Sequence, residues 1–323
     1  GNTIPLVAFL YGAWCAGHLP LLQSPRQPLS RSQSLIADMQ CKAFFSDHNL
    51  DLPSGSLPTG TVNPAVPATA LFTSGSTGHP QIVVHTLANH LYSAMGSAIN
   101  LPIESDDRWL IMLPLSHVSG LSILFRCLIA GATALIARSG SLRDDDALDL
   151  LPQVTRLSLV PAQLQRLLEI PKDRFRNLRS VLVGGQAASP LLIRRAQEAG
   201  IPVMTTYGST EMASQVTTTA PEGRVQPGAC GTVLPYRRLR VHDGEIEVGG
   251  RTLFSGYLTP TGIKKPALRS GSWFQTGDYG YLNASGVLTV TGRADAMFVS
   301  GGENIQPQEI EAILTEHPAI AVA

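Results

Sequence analysis

Thr73-Ser74-Gly75-Ser76-Thr77-Gly78-His79-Pro80 is the stretch that decides the fold. It follows an apolar, β-prone run, Thr69–Thr73, and precedes another, Gln81–His85, with a helical pattern over Thr86–Ile99. Gly75 and Gly78 let a backbone come close to a ligand, and successive N–H groups in such a turn form a concave anion site. The hydroxyls of Ser74, Ser76 and Thr77 add donors for phosphate oxygens. No Gly-Lys-Ser/Thr closes the loop, so it is not a Walker A sequence. A surface turn also uses Gly, Ser and Thr, and the loop alone leaves that reading open.

Working outward, short apolar strands alternate with helices. Arg108–Leu113, Thr133–Ala137, Arg156–Val160, Ser180–Val183 and Pro202–Thr206 read as strands; Ser119–Ala130, Pro161–Glu169 and Pro190–Ala199 read as helices, the last two opening on proline. This alternation predicts an α/β fold of mostly parallel sheets covered by helices. Beyond about Gly223 the pattern changes. Arg238–Val241, Glu245–Val248 and Leu288–Thr291 are short strands between Gly, Asp and Asn turns, with hairpin signals at Asp243-Gly244 and Ser285-Gly286. The expected organisation is an α/β region over 1–222, a small β-barrel-like subdomain over 223–294, and a hinge with the start of a small α+β domain over 295–323, including a helix at Pro307–Thr315.

Composition narrows the function. Of 323 residues 44% are hydrophobic and 15% charged, which supports a large core. The formal net charge is zero, so no basic field exists to hold nucleic acid. The apolar stretch Ile4–Ala16 lacks a basic flank and is too short to span a bilayer, so a core helix is expected and membrane insertion is not. Cys15, Cys41, Cys127 and Cys230 are widely spaced and form no CxxC pair, which argues against zinc and disulfides and for a cytoplasmic protein. No G-x-S-x-G and no H-E-x-x-H occurs, so hydrolase elbows and zinc hydrolases are unsupported. Homo-oligomerisation is compatible with the sequence. The chain opens in mid-pattern without Met, and truncation at both ends is expected.

Four further motifs follow the loop in order: Tyr207-Gly208-Ser209-Thr210-Glu211, Thr276-Gly277-Asp278, Gly292-Arg293-Ala294-Asp295 and Gly301-Gly302-Glu303-Asn304-Ile305. Together they resemble the core motifs of the superfamily of acyl-CoA synthetases, peptide-synthetase adenylation domains and luciferases. The resemblance implies an enzyme that joins a carboxylic acid to AMP using ATP and Mg²⁺, then passes the acyl group to CoA. It implies that Thr73 and the Ser74–Gly78 loop grip phosphates, that Thr210 contacts phosphate, and that Glu211 holds Mg²⁺. Magnesium keeps waters and phosphates as ligands, so one carboxylate suffices. Tyr207, next to Gly208, would stack on adenine, Gly184-Gly185-Gln186 would border the base, and Asp278 and Arg293 would bind the ribose. Asp295 matches the hinge, and Gly301 and Gly302 match the loop lining the pantetheine tunnel. Read alone, Asp278 fits a turn residue, Glu211 a helix-start acid, and Gly301-Gly302 a turn.

Leu115-Ser116-His117-Val118-Ser119-Gly120 matches the superfamily's acyl-pocket motif, which implies that His117 and Ser119 lie beside the acid. The following helix carries one charge, Arg126, on the face of Ser119 and Ser122. An internal salt bridge would explain it, and so would a carboxylate on the substrate. This helix, with Ser158-Leu159-Val160-Pro161, Gln163-Leu164 and Ala213-Ser214-Gln215, is similar to the o-succinylbenzoate–CoA ligase branch of the superfamily. Its substrate has a second, ring carboxylate, which Arg126 and Ser214 would receive. Other readings are a ligase for another aryl or medium-chain acid, or a non-catalytic nucleotide- or acyl-binding protein. Three departures bear on them. Gln81 replaces the usual Lys after Pro80, Ser116 stands where an aromatic often precedes the His, and no Lys follows Lys265, whereas the superfamily's adenylating Lys lies further on.

Overall fold

The structure is a computed structural model that describes residues 2–24, 37–39, 41, 62–73, 81–137, 140–222, 224–226, 228–296, 298–300, 303–305, 307, 310 and 314. Helix α1 (Ile4–Cys15) and strand β1 (Leu21–Leu22) lead into β2 (Pro67–Phe72), β3 (Ile82–Thr86) and α2 (Leu87–Asn100). Then come β4 (Arg108–Ile111), α3 (Val118–Ala130), β5 (Thr133–Ile136), α4 (Asp145–Leu150), β6 (Arg156–Leu159), α5 (Pro161–Leu167), β7 (Ser180–Val183), α6 (Pro190–Glu198), β8 (Val203–Ser209) and β9 (Ser214–Thr218). The remainder is strands: β10 (Thr232–Val233), β11 (Arg237–His242), β12 (Glu245–Gly250), β13 (Gly256–Thr259), β14 (Gly262–Lys264), β15 (Phe274–Leu282), β16 (Leu288–Arg293), β17 (Phe298–Ser300) and β18 (Glu303–Ile305). The phosphate loop, residues 74–80, and Gly301 and Gly302 lie outside the described residues, as does most of the expected last helix.

The central sheet has the order β10-β9-β8-β7-β6-β4-β5 and is parallel from β5 to β8. Strands β4 to β7 each lead into a helix because side-by-side parallel strands need a crossover. Both faces are buried, so alternate residues serve different cores. Trp109 and Ile111 of β4 join Leu71, Leu121 and Phe125 on one face; Leu110, with Met112 just beyond the strand, joins Leu157, Leu164 and Val181 on the other. Helices α2 and α3 therefore lie between the central sheet and the sheet β1-β2-β3-β13-β14. That sheet is parallel only at β1–β2, unlike the parallel sheets that the alternation predicts. The link from Phe72 to Ile82 is too short for a helical crossover, so β2 and β3 pair antiparallel.

Strands β11-β12-β15-β16 make a four-stranded antiparallel sheet that stays open where a barrel-like shape is expected. The hairpin β13–β14 lies in the same part of the chain yet adds to β3. Asn89 of α2 helps hold the two regions together: its Nδ2 donates to the carbonyls of Arg251 and Leu253. Helix α1 buries only Leu10, Ala13 and Trp14, and Ile4 is largely exposed. Among the described residues no helix is long and apolar enough to cross a membrane.

The amino ends of the parallel strands are held by one carboxylate. Asp107, fully buried, accepts from Arg156 Nε (3.0 Å), Arg179 Nη1 (3.1 Å), Thr155 Oγ1 (2.7 Å) and the Glu104 N–H (2.9 Å). Burial opposes its ionisation, but the bonds from Arg156, Glu104 and Thr155 win, and its pKa falls below the ordinary carboxylate value. Asp107→Ala leaves Arg156 buried without its anion, and urea unfolding at neutral pH is expected to show a loss of about 3–5 kcal/mol. The folded pKa is depressed, so the stabilisation is complete above the unfolded-state pKa and is lost as pH falls through the folded one. Stability of the variant should change less than that of the parent across that acid window.

Candidate active site

The opposite, carboxyl ends of the same strands open on a cavity of about 310 Å³. This is where open α/β sheets bind ligands, because the loops there diverge. Leu113 follows β4, Ser158-Leu159-Val160 end β6, Leu182, Gly184 and Gly185 end β7, and Thr206, Gly208, Ser209 and Thr210 end β8. His117, Val118, Ser119 and Arg126 of α3 and Ser214 and Gln215 of β9 complete the lining. The first turn of α3 thus faces the cavity. Gly120 makes this approach feasible, since a Cβ there would run into the carbonyls of Leu113 and Pro114. Burial lowers the pKa of His117, which keeps its imidazole neutral at neutral pH.

Arg126 is 2% exposed, and among the described residues no carboxylate lies within ion-pair distance. The internal salt bridge allowed by the sequence is therefore absent from the described residues. Its Nη2 donates to Ser214 Oγ (3.3 Å), its guanidinium carbon sits 5.3 Å from the centroid of the Trp109 ring, and its Nε has no partner there. Burial lowers its pKa to about 10, so it stays cationic at neutral pH. Ser122 Oγ also donates to Ser214 Oγ (3.2 Å), and Ser158 Oγ is buried without a partner among the described residues. Arg126, Ser214 and Ser158 thus bring a cation and two hydroxyls to the cavity lining, with Ser122 bonded to Ser214, a set suited to an anionic, oxygen-bearing ligand.

The structure gathers His117, Ser119, Arg126, Gly184, Gly185, Gly208, Thr210 and Ser214 at the cavity. Gln186 is exposed and outside the lining. Thr210 and Glu211 form a single helical turn between β8 and β9, pinned by His85, whose Nε2–H donates to the Thr210 carbonyl (2.7 Å). The Glu211 carboxylate has no ion-pair partner among the described residues; it accepts from the Tyr257 hydroxyl at 3.5 Å, and burial raises its pKa. Tyr207 is buried among Met212, Val216, Ile246 and Leu288, and its hydroxyl donates to Asp278 Oδ2 (2.6 Å). Asp278 Oδ1 accepts from Arg293 Nη1 (2.7 Å), and Arg293 Nε donates to Asp295 Oδ1 (2.9 Å). These four form a chain beside the cavity instead of lining it. Thr73, at the edge of the phosphate loop, donates weakly to the Gln81 carbonyl (3.5 Å).

Sequence reading singled out neither Trp109 nor the Ser158 hydroxyl. Trp109 looks like any core aromatic on a parallel strand, and only the spatial meeting of β4 and α3 gives it the guanidinium. Ser158 sits in a quoted motif, where an unpaired polar residue amid Leu157, Leu159 and Val160 was the available signal. Gly208 is equally constrained: a Cβ would collide with the Ser214 carbonyl. Gly208→Ala is expected to force β8 from β9 and lower stability by about 1–3 kcal/mol in denaturant unfolding.

The AMP-binding enzyme family matches residues 53–258. A 2-succinylbenzoate–CoA ligase of Bacillus pumilus (strain SAFR-032) is 34% identical over all of this chain and 72% of its own length. The Bacillus subtilis (strain 168) ligase of the same name is 38% identical over 79% of this chain, but the match spans only 55% of that protein. The structure of o-succinylbenzoate coenzyme A synthetase from Bacillus subtilis in complex with its acyl-adenylate intermediate superposes with a TM-score of 0.84 at 31% identity, covering 100% of this chain and 72% of that one. Its α/β architecture, ordered motifs and these likenesses agree: the chain belongs to the AMP-binding enzyme family, in the branch of the 2-succinylbenzoate–CoA ligases.

Proposed function

We propose that this protein is an ATP-dependent acid–CoA ligase acting on o-succinylbenzoate, as its relatives are named to do. The observation that carries the reading is Arg126, a buried cation without an anion among the described residues, on the wall of the cavity. The aliphatic carboxylate of the substrate would lie toward His117 and the first turn of α3, the ring carboxylate toward Arg126 and Ser214. In the first step a carboxylate oxygen attacks the α-phosphorus of ATP, and the bond to pyrophosphate breaks. In the second the CoA sulfur attacks the acyl carbon, its proton leaves, and AMP departs. His117, neutral, need not act as a base in the first step, because the carboxylate is already ionised. Acids without a second anion would leave the buried Arg126 without a counter-charge, which disfavours an ordinary aryl or medium-chain substrate.

The nucleotide would be held by Thr73, the Ser74–Gly78 loop, Gly184, Gly185, Gln186 and Gly208. Tyr207, Asp278 and Arg293 would support the base and ribose, with Thr210 at the phosphates. Glu211 fits Mg²⁺, being a hard oxygen donor without a competing cation among the described residues. Bound there, Mg²⁺ would neutralise phosphate charge. Asp295 would serve as hinge, and Gly301 and Gly302 would line the path of CoA. Residues 1–222, 223–294 and 295–323 would then be the nucleotide-binding region, its β-rich subdomain and the mobile element. ATP and CoA are cytoplasmic co-substrates, and this is the compartment the activity requires.

Acid-dependent pyrophosphate release from a panel of carboxylic acids tests the assignment; o-succinylbenzoate should lead it, and a monocarboxylic acid ahead of it would overturn it. Glu211→Gln should raise the Mg²⁺ concentration needed for ATP binding by at least about tenfold. Because the parent's carboxyl pKa is raised, its Mg²⁺-dependent binding should weaken as pH falls into the acid range, and that dependence should vanish in the variant. Arg126→Ala should lower kcat/KM for o-succinylbenzoate by about 2–5 kcal/mol, some thirtyfold or more. An analogue with hydrogen in place of the ring carboxylate should be little affected, whereas a purely structural Arg126 would impair both acids alike.

A further inference from the structure

A second guanidinium is buried behind Ser214. Arg237, the first residue of β11, is 6% exposed, and among the described residues it too has no ion-pair partner. Its donors are directed to oxygens that diverge around it. Nε donates to the Gln215 carbonyl (2.7 Å), Nη1 to the Pro235 carbonyl (2.8 Å), and Nη2 to both the carbonyl and the hydroxyl of Ser93 (2.9 Å each). Ser93 Oγ in turn donates to the Ala213 carbonyl (2.6 Å). Helix α2 makes room for this: a Cβ on Gly96 would collide with Arg237 Nη1 and the Pro235 carbonyl.

The backbone held on both sides by these bonds is in an unfavourable conformation. Ala213 has φ 53° and Ser214 φ 102°, two consecutive residues with a Cβ in the left-handed half of the map. Such backbone persists only where its surroundings over-determine it. The bonds to the carbonyls of Ala213 and Gln215 bracket Ser214 and supply that constraint. The result is the placement of Ser214 Oγ, which receives Arg126 Nη2 and Ser122 Oγ.

We propose that Arg237 is a positioning residue for acid selection: by clamping Ala213–Gln215 it holds Ser214 in its left-handed conformation and so fixes Arg126 for the second carboxylate. The selectivity part of this proposal rests on the o-succinylbenzoate reading; the clamp itself does not. The guanidinium fork is required, because three carbonyls lie in different directions that one ammonium cannot reach together. Arg237→Lys keeps the charge and breaks the fork.

The test is a double-mutant cycle in the enzyme, read with o-succinylbenzoate and with the analogue lacking the ring carboxylate. Arg237→Lys should raise KM for o-succinylbenzoate about tenfold, in the range of coupling within one hydrogen-bond network, with kcat nearly unchanged. KM for ATP and for the analogue should stay close to the parent's. In an Arg126→Ala background the same change should have little further effect on o-succinylbenzoate. Ser93→Ala, which removes the link to Ala213 and leaves Arg237 in place, should act in the same direction more weakly, and it carries the cycle should Arg237→Lys fail to fold. Equal losses for both acids, or undiminished effects with Arg126 absent, overturn the proposal. A crystal structure of Arg237→Lys, or of Ser93→Ala, reads the clamp whatever the substrate. Ser214 should leave positive φ or lose Arg126, and an unchanged Ser214–Arg126 geometry overturns the clamp. Failure of the parent to turn over o-succinylbenzoate sinks the substrate reading alone.

Discussion

A cation buried without an anion among the described residues is the constraint around which the cavity wall is built. Removing a guanidinium from water is unfavourable unless its donors and charge meet substitutes. Among the described residues Arg126 finds only partial ones: the face of Trp109 and one serine hydroxyl. Neighbouring choices make even that feasible. Ser122 lies one helical turn before it on α3, Gly208 lets β8 approach the Ser214 carbonyl, and the strained Ala213–Ser214 backbone turns the hydroxyl inward. An apolar residue at 126 would pack against Trp109 with less penalty. Its absence makes sense where the missing anion arrives with the ligand.

The central sheet separates two tasks that would otherwise conflict. At its amino edge, Asp107 collects Arg156, Arg179 and Thr155 in a fully paired network, which secures β4, β6 and the approach to β7. At its carboxyl edge the polar groups are left incompletely paired: Arg126 Nε and Ser158 Oγ lack partners among the described residues, and Glu211 faces no cation there. Satisfied polar networks rigidify a fold, and unsatisfied ones destabilise it unless a ligand completes them. The same seven strands therefore supply stiffness at one end and binding capacity at the other.

Much of this was legible in the residues, for identifiable reasons. Parallel strands between helices announce themselves as apolar runs, and β4 to β8 stand within a few residues of their expected bounds. The five motifs are local in sequence, so their order carried the family resemblance. What escaped depends on contacts between distant segments. The hairpin β13–β14 has an ordinary Pro260-Thr261-Gly262 turn signal, but nothing local says that it pairs with β3. Strand β15 runs through Thr276-Gly277-Asp278, where Gly277 at φ 73° mimics a turn inside a strand. Arg237 stands in an alternating run with Arg238 and Arg240, and only burial against α2 distinguishes it from its neighbours.

Tyr207 joins the central sheet to the small antiparallel sheet. Its ring is part of the core between β9 and the small sheet, so it cannot shift without disturbing Val216 and Ile246. Its hydroxyl fixes one oxygen of Asp278, Arg293 fixes the other, and Arg293 also grips Asp295. Burial raises the pKa of Asp278, while the bonds from Tyr207 and Arg293 favour its charged form. An aromatic body anchored in the core, a carboxylate held at both oxygens and an arginine reaching onward make a continuous polar path from β8 to the segment after β16. A ligand that changes the hydrogen bonding of Asp278 must therefore change the hold on Asp295, because Arg293 shares its donors between them.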